Sequence, residues 1–186
     1  MLFALRRLLA YILDIAILYG VLAGGLQTLT RALFGVPDYA RLAQMPVRLE
    51  GWVLLTISLP TWLYFIICDV ICDVRGGSTL GKRVLGLRTT AVSGGPVSVG
   101  QAVARTALKL IPWELTHISV LVPNPMWNPG TTPALSQTVG LAAANLLMLV
   151  YLIVLALQGG RRSVHDLIAG TSVEPRSERA AAQGQP

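Results

Sequence analysis

The stretch LLAYILDIAILYGVLAGGLQTL, Leu8–Leu29, decides the fold. It carries one charge, Asp14, in 22 residues. As a helix it extends about 33 Å, enough to cross the roughly 30 Å hydrocarbon core of a bilayer. It is longer than a signal-peptide core and holds an acid, so it reads as a retained transmembrane helix. Arg6 and Arg7 stand just before it. Ala16, Gly20 and Gly24 recur every four residues, a stripe expected to let another helix approach closely.

The rest of the chain agrees with a membrane setting. Only 13% of its 186 residues are charged and 53% are hydrophobic, with a mean hydropathy of +0.61. That leaves too little polar surface to cover a water-soluble globule and too many apolar residues for a disordered chain. The net charge of +6 is spread between apolar runs, so nucleic acid is not an expected partner. Cys68 and Cys72 are four residues apart and make no disulfide framework.

A second span is expected over Gly51–Cys72, kinked at Pro60, and a last one over Ala134–Leu157. The basic, glycine-rich stretch Asp73–Val99 alternates loosely and contains the turn signal Ser93-Gly-Gly-Pro96. It predicts a short β-hairpin at the membrane surface. Ser98 and Gln101 form a capping box. The helix it opens has Val99, Ala102, Val103, Ala107 and Leu110 on one face and Gln101, Arg105 and Lys109 on the other, as an interfacial amphipathic helix would. Leu110–Val122 is apolar but short, and holds Pro112, Glu114 and His117. Ser163 and Asp166 cap a short helix, Val164–Ala169, closed by Gly170.

Topology follows from the basic residues. If Leu110–Val122 crosses, twelve Lys and Arg share the side of both termini, against Arg31, Arg41 and Arg48 opposite. If it does not cross, the division is eight to seven. The positive-inside rule selects the first arrangement. The expected fold is an all-α membrane protein, a four-span helical bundle with the third crossing short and broken at Pro112. A small cytoplasmic β-hairpin and the interfacial helix complete residues 1–173, and 174–186 form a disordered tail. Both termini are expected in the cytoplasm of a cell with a bacterial-type plasma membrane.

In this arrangement Asp14 lies about 9 Å deep. Asp69, Asp73, Glu114 and Asp166 fall in or beside the same leaflet, with Arg7, Lys82, Arg83, Arg105 and Lys109 on that side. The expectation is one polar cluster open to the cytoplasm. It serves either as ion pairs that pin helices together or as a cation or proton site with Asp14 at its centre. Arg7 and Asp14 lean the same way along their helix, so Asp14 needs a partner from another helix. Gly76–Lys82 mimics a phosphate-binding loop, but Arg83 replaces the Ser/Thr and a membrane helix precedes it, so no nucleotide is expected. The cysteines and aspartates of 68–73 point about 100° apart, against a metal site. His165-Asp166 looks like a catalytic pair without a nucleophile. Neither an enzyme nor a cofactor is expected.

RRLLAYILD (Arg6–Asp14), GSTLGKRVLGLR (Gly77–Arg88) and RSVHDLIAGT (Arg162–Thr171) resemble, in order, three motifs of the RDD family of membrane proteins. The resemblance implies that Arg7 and Asp14 are the family arginine and first aspartate. Asp166 is the best match for the second aspartate, with Asp69 and Asp73 as alternatives. The segment Pro112–His117 also looks like a variant found in part of the family. The family has no settled general activity. Transport of unidentified ligands has been suggested, with cation–proton exchange for some members, while eukaryotic relatives resemble scaffolds. Two expectations result. One is transport by a homo-oligomer through Asp14. The other is a membrane scaffold holding membrane-protein partners through the Gly77–Arg88 loop and the Val164–Thr171 segment.

Overall fold

The computed structural model describes residues 2–35, 41, 44–70 and 78–176, without the side chains of 69 and 70. Helix α1, Leu2–Ile17, continues through a π-helical stretch, Leu18–Ala23, into α2, Gly24–Phe34. Helix α3, Pro46–Val53, continues through a second π stretch, Leu54–Ser58, into α4, Leu59–Val70. The short α5, Leu80–Val84, leads to β1, Leu87–Ala91. Helices α6, Val99–Leu121, and α7, Leu135–Leu157, follow, then α8, Val164–Ala169, and β2, Thr171–Pro175.

Among the described residues three helices are long and apolar enough to cross a membrane: Leu2–Phe34, Pro46–Cys68 and Leu135–Leu157. Helix α6 matches the last of these at 23 residues, but Arg105, Lys109 and Glu114 lie along it. The expected separation of α6 into a surface helix and a broken crossing does not occur, because Pro112 sits inside one unbroken helix. A proline there removes the N–H that Leu108 would bond. The Tyr151 hydroxyl donates to that Leu108 carbonyl at 2.7 Å instead. At Pro60 the accommodation differs. The π stretch ends with the Leu59 amide bonded to the Leu54 carbonyl, and the proline follows directly, so its missing N–H falls where the bonding pattern changes from π to α.

The expected hairpin is also replaced. β1 pairs antiparallel with the distant β2, Leu87 opposite Pro175 and Ala91 opposite Thr171. The turn at Ser93–Pro96 sends the chain into α6 rather than into a returning strand. β2 carries order as far as Pro175, two residues into the stretch read as tail; residues 177–186 lie outside those described.

The chain forms two compact units. The first comprises Met1–Ile17, Trp62–Lys109 and Val150–Pro186. Its apolar centre is Ala10, Leu87 and Val173, with Phe3 and Leu85 against it. Gly160, at φ +85°, packs on α1, where a Cβ would stand 2.6 Å from the Ala4 nitrogen. The second unit comprises Leu18–Thr61 and Leu110–Leu149, centred on Leu49, Trp52 and Leu121.

Candidate functional site

The first unit buries one face of α1 through Arg7, Ala10 and Asp14. These recur at helical spacing, so a single face carries both charges inward. Asp14 is 1% exposed. Its Oδ1 accepts from the Tyr64 hydroxyl at 2.8 Å and from the Gly81 amide at 2.7 Å. Its Oδ2 accepts from the Thr79 hydroxyl at 2.5 Å. All three donors are neutral. The Gly81 approach requires glycine, since a Cβ would overlap the Ala10 carbonyl and lie 3.0 Å from the Asp14 Cγ. As expected, the partners of Asp14 come from other elements.

Arg7 does not turn to Asp14. Its guanidinium pairs with Asp166 Oδ2 and donates to the Arg161 carbonyl at 2.8 Å. Arg105 Nε donates to Asp166 Oδ1 at 2.7 Å. Asp166 is fully buried, and also receives the Ser163 amide at 2.9 Å and the Thr171 hydroxyl at 3.1 Å. It thus closes the capping box of α8 while joining α1, α6 and the start of β2. This alters the amphipathic reading of α6. Arg105 and Lys109 are buried at 1% and 8% exposure, along with Ala102 and Leu110 of the expected apolar face, while Val99 and Val103 are exposed. The reason is that Asp166 supplies the buried countercharge that a polar helix face otherwise seeks in water. Lys109 Nζ lies 3.0 Å above the Phe65 ring centroid.

Burial alone would raise the Asp166 carboxyl. The neighbouring His165 when protonated, and Arg105 and Arg7 throughout, act against burial and hold it well below the usual carboxylate range. Burial first, and then the cations Arg105, Arg7 and Lys109, push the His165 imidazole well below its ordinary value against the pull of Asp166. At neutral pH His165 is therefore uncharged, which leaves the two guanidiniums as the charges that hold Asp166. His165 Nε2 lies 3.2 Å from an Arg7 nitrogen. The same Nε2 lies 3.3 Å from Asp166 Oδ2.

The remaining expected site residues divide. Lys82 is buried and donates to Thr89 at 2.7 Å. Arg83 is exposed and stands apart from both carboxylates. Asp69 lies at the end of α4, its side chain outside the described part, and Asp73 lies outside the described residues. Among the described residues nothing packs closely on the Ala16–Gly20 part of the Ala16–Gly20–Gly24 stripe. Ala16 and Gly20 are exposed, and a Cβ on Gly20 would meet nothing within 4 Å. Glu114 belongs to the second unit. There it accepts from Ser58 at 2.8 Å, with His117 Nδ1 at 3.7 Å. Among the described residues no group of three metal-ligating side chains exists.

Sequence reasoning missed Tyr64, Thr79 and Gly81 as partners of Asp14. Thr79 and Gly81 carry a signal, the Thr-Leu-Gly of the basic loop. Tyr64 carries none, being one aromatic in an apolar run.

The sequence model of the RDD family matches residues 3–170. The chain belongs to the RDD family. No curated protein and no solved structure matches it. The second and third RDD-like motifs both dock on the buried face of α1, at two separate carboxylate centres. The first supplies Arg7 and Asp14, the second docks on Asp14, and the third docks on Arg7.

Proposed function

We propose that this RDD protein is a non-enzymatic membrane assembly protein. Its buried charges fasten a surface module to the first span, and that module presents an interaction face. The observation that carries this reading is the saturation of Asp166, which accepts from two guanidiniums, an amide and a hydroxyl. A carboxylate has about four lone-pair sites, so a cation would have to displace protein donors to bind there. Asp14 spends three of its sites on holding the Thr79–Gly81 segment and Tyr64. The module face consists of Leu167 and Ile168 on α8 with Val92, all exposed. Val92 is joined to them through its amide, bonded to the Gly170 carbonyl at 2.9 Å.

In this reading the protein spans the membrane four times, α6 making the third crossing. Both termini lie in the cytoplasm of a bacterial-type cell, and the protein works as a homo-oligomer or with membrane-protein partners. The positive-inside distribution supports that orientation. Native mass spectrometry of the protein in mild detergent tests it. The expected species is a defined oligomer or stoichiometric complex that Ile168→Glu dissociates while the fold persists. A lone monomer would count against it.

A second reading, transport with Asp14 as a proton or cation site, draws on one feature. The three donors to Asp14 are neutral, so none of them forms an ion pair with it. Cation flux in proteoliposomes that Asp14→Asn abolishes, with expression and assembly intact, would establish this reading over the first.

A further inference from the structure

Helix α5 is the part of the module with no evident reason to be apolar outside. Leu80 is 45% exposed and Val84 71% exposed, with the exposed Arg83 between them.

Two sets of contacts gauge its depth. At its start, the Gly81 amide meets Asp14 and the Leu80 amide meets the Tyr64 hydroxyl at 2.9 Å. At its end, Arg6 donates to the Leu85 carbonyl at 2.6 Å. From Arg6 to Asp14 along α1 is eight residues, about 12 Å. The apolar run of the first span begins at Leu8, so α5 starts beside membrane-embedded α1 and climbs toward the level of Arg6. Tyr64 lies four residues inside the end of the second candidate span, Pro46–Cys68, and so places Leu80 at a matching depth from another helix.

The backbone agrees. The first turn of a helix has amides without intrahelical partners, and outside water each must be satisfied by protein. In α5 they are. Leu80 donates to Tyr64 and Gly81 to Asp14, Lys82 to the Thr79 hydroxyl at 3.4 Å and Arg83 to the Thr79 carbonyl at 2.8 Å. On α1 itself Leu8, Leu9 and Ile12 are exposed as well, as apolar side chains of a helix in a bilayer are.

We infer that α5 is a re-entrant element seated in the bilayer beside the first span, with Leu80 and Val84 against acyl chains and Arg83 at the phosphate headgroups. Arg83 reaches the headgroup level by extending its apolar stem along the chains, as long basic side chains do. The occupant of this face is lipid rather than a protein partner. The inference needs only that the first helix spans a membrane, and holds under either reading of function.

The test uses the full chain with Cys68→Ser and Cys72→Ser, in phosphatidylcholine–phosphatidylglycerol vesicles. Bimane is attached in turn at Leu80→Cys, Val84→Cys, Ile12→Cys and Val92→Cys. A nitroxide on the lipid acyl chain and iodide in the water serve as quenchers. The expected result is at least 5-fold stronger quenching by the acyl nitroxide at positions 80 and 84 than at 92, and at least 5-fold weaker quenching by iodide. Iodide quenching at 80 and 84 equal to that at 92, with Ile12→Cys still quenched by lipid, overturns the proposal and leaves the span intact. Protection from both quenchers puts a protein on α5 and also overturns it. A label at 12 open to iodide removes the span itself, and the proposal with it. Val84→Cys stands in if Leu80→Cys fails to fold, since Val84 is the more exposed side chain.

Discussion

Replacing Gly81 with alanine tests the docking of the basic loop on the first span. The added Cβ would overlap the Ala10 carbonyl oxygen, lie 2.9 Å from its carbon and 3.0 Å from the Asp14 Cγ. The obstacles are backbone and a buried carboxylate, so neither can swing aside as a flexible side-chain end could. Helix α5 must lift, and the 2.7 Å bond from the Gly81 amide to Asp14 is lost with it. Overpacking costs about 1–3 kcal/mol, and a hydrogen bond to a charged group about 1.5–3 kcal/mol. Alanine returns up to about 1 kcal/mol of helix propensity. The net expectation is a loss of about 3 kcal/mol, a fall in melting temperature of roughly 6–12 °C for a chain of this size. The assay is thermal unfolding in detergent, with Gly100→Ala as reference. A Cβ at Gly100 meets nothing within 4 Å and should change stability by less than about 1 kcal/mol. A Gly81→Ala protein as stable as the Gly100→Ala protein would refute the docking.

Further outcomes follow from the same contacts. Tyr151→Phe keeps the ring but strips the Leu108 carbonyl of its donor, at a cost of about 1–3 kcal/mol. Pro112→Ala, which restores an N–H there, should recover part of that loss in a double-mutant cycle; strict additivity would contradict the assignment. Asp166→Asn leaves Arg7 and Arg105 buried beside a neutral amide and should cost about 3–5 kcal/mol, measured as loss of folded protein on gel filtration. His165 binds its proton less readily folded than unfolded, so the unfolded chain takes up more protons as pH falls through about 6.5. Stability is therefore full above that pH and declines below it, and His165→Asn should flatten the decline in a melting-temperature profile. Asp166, held low when folded, contributes its stability above about pH 4 and loses it in stronger acid. Asp166→Asn should remove that acid limb.

The three long apolar helices were legible in the sequence because length and hydropathy suffice for them. The Ser163–Asp166 capping box was legible because it is local. The pairing of β1 with β2 was not. The alternation in Leu87–Ala91 announces a strand, but two long helices separate it from Thr171–Pro175, and a two-residue period names no partner. The orientation of α6 was misread for a different reason. A helix with Arg105 and Lys109 on one face sends that face to water unless a buried acid waits for it. Asp166 is that acid, 61 residues further on. Of the site, Arg7, Asp14 and Asp166 were recognisable individually, while their division into two separate carboxylate centres depended on tertiary contacts. Chief among these is Tyr64, which no motif marks.

The central claim is that Asp14 holds the Thr79–Leu85 segment to the first span. Amide hydrogen exchange on Asp14→Ala in vesicles tests it most directly, with peptides covering residues 79–85 compared against those covering β2. Loss of the acceptor for Gly81 and Thr79 should speed exchange at 79–85 by at least 10-fold, about 1.4 kcal/mol of local opening, while β2 stays near its wild-type rate. Exchange at 79–85 unchanged from wild type would contradict the account.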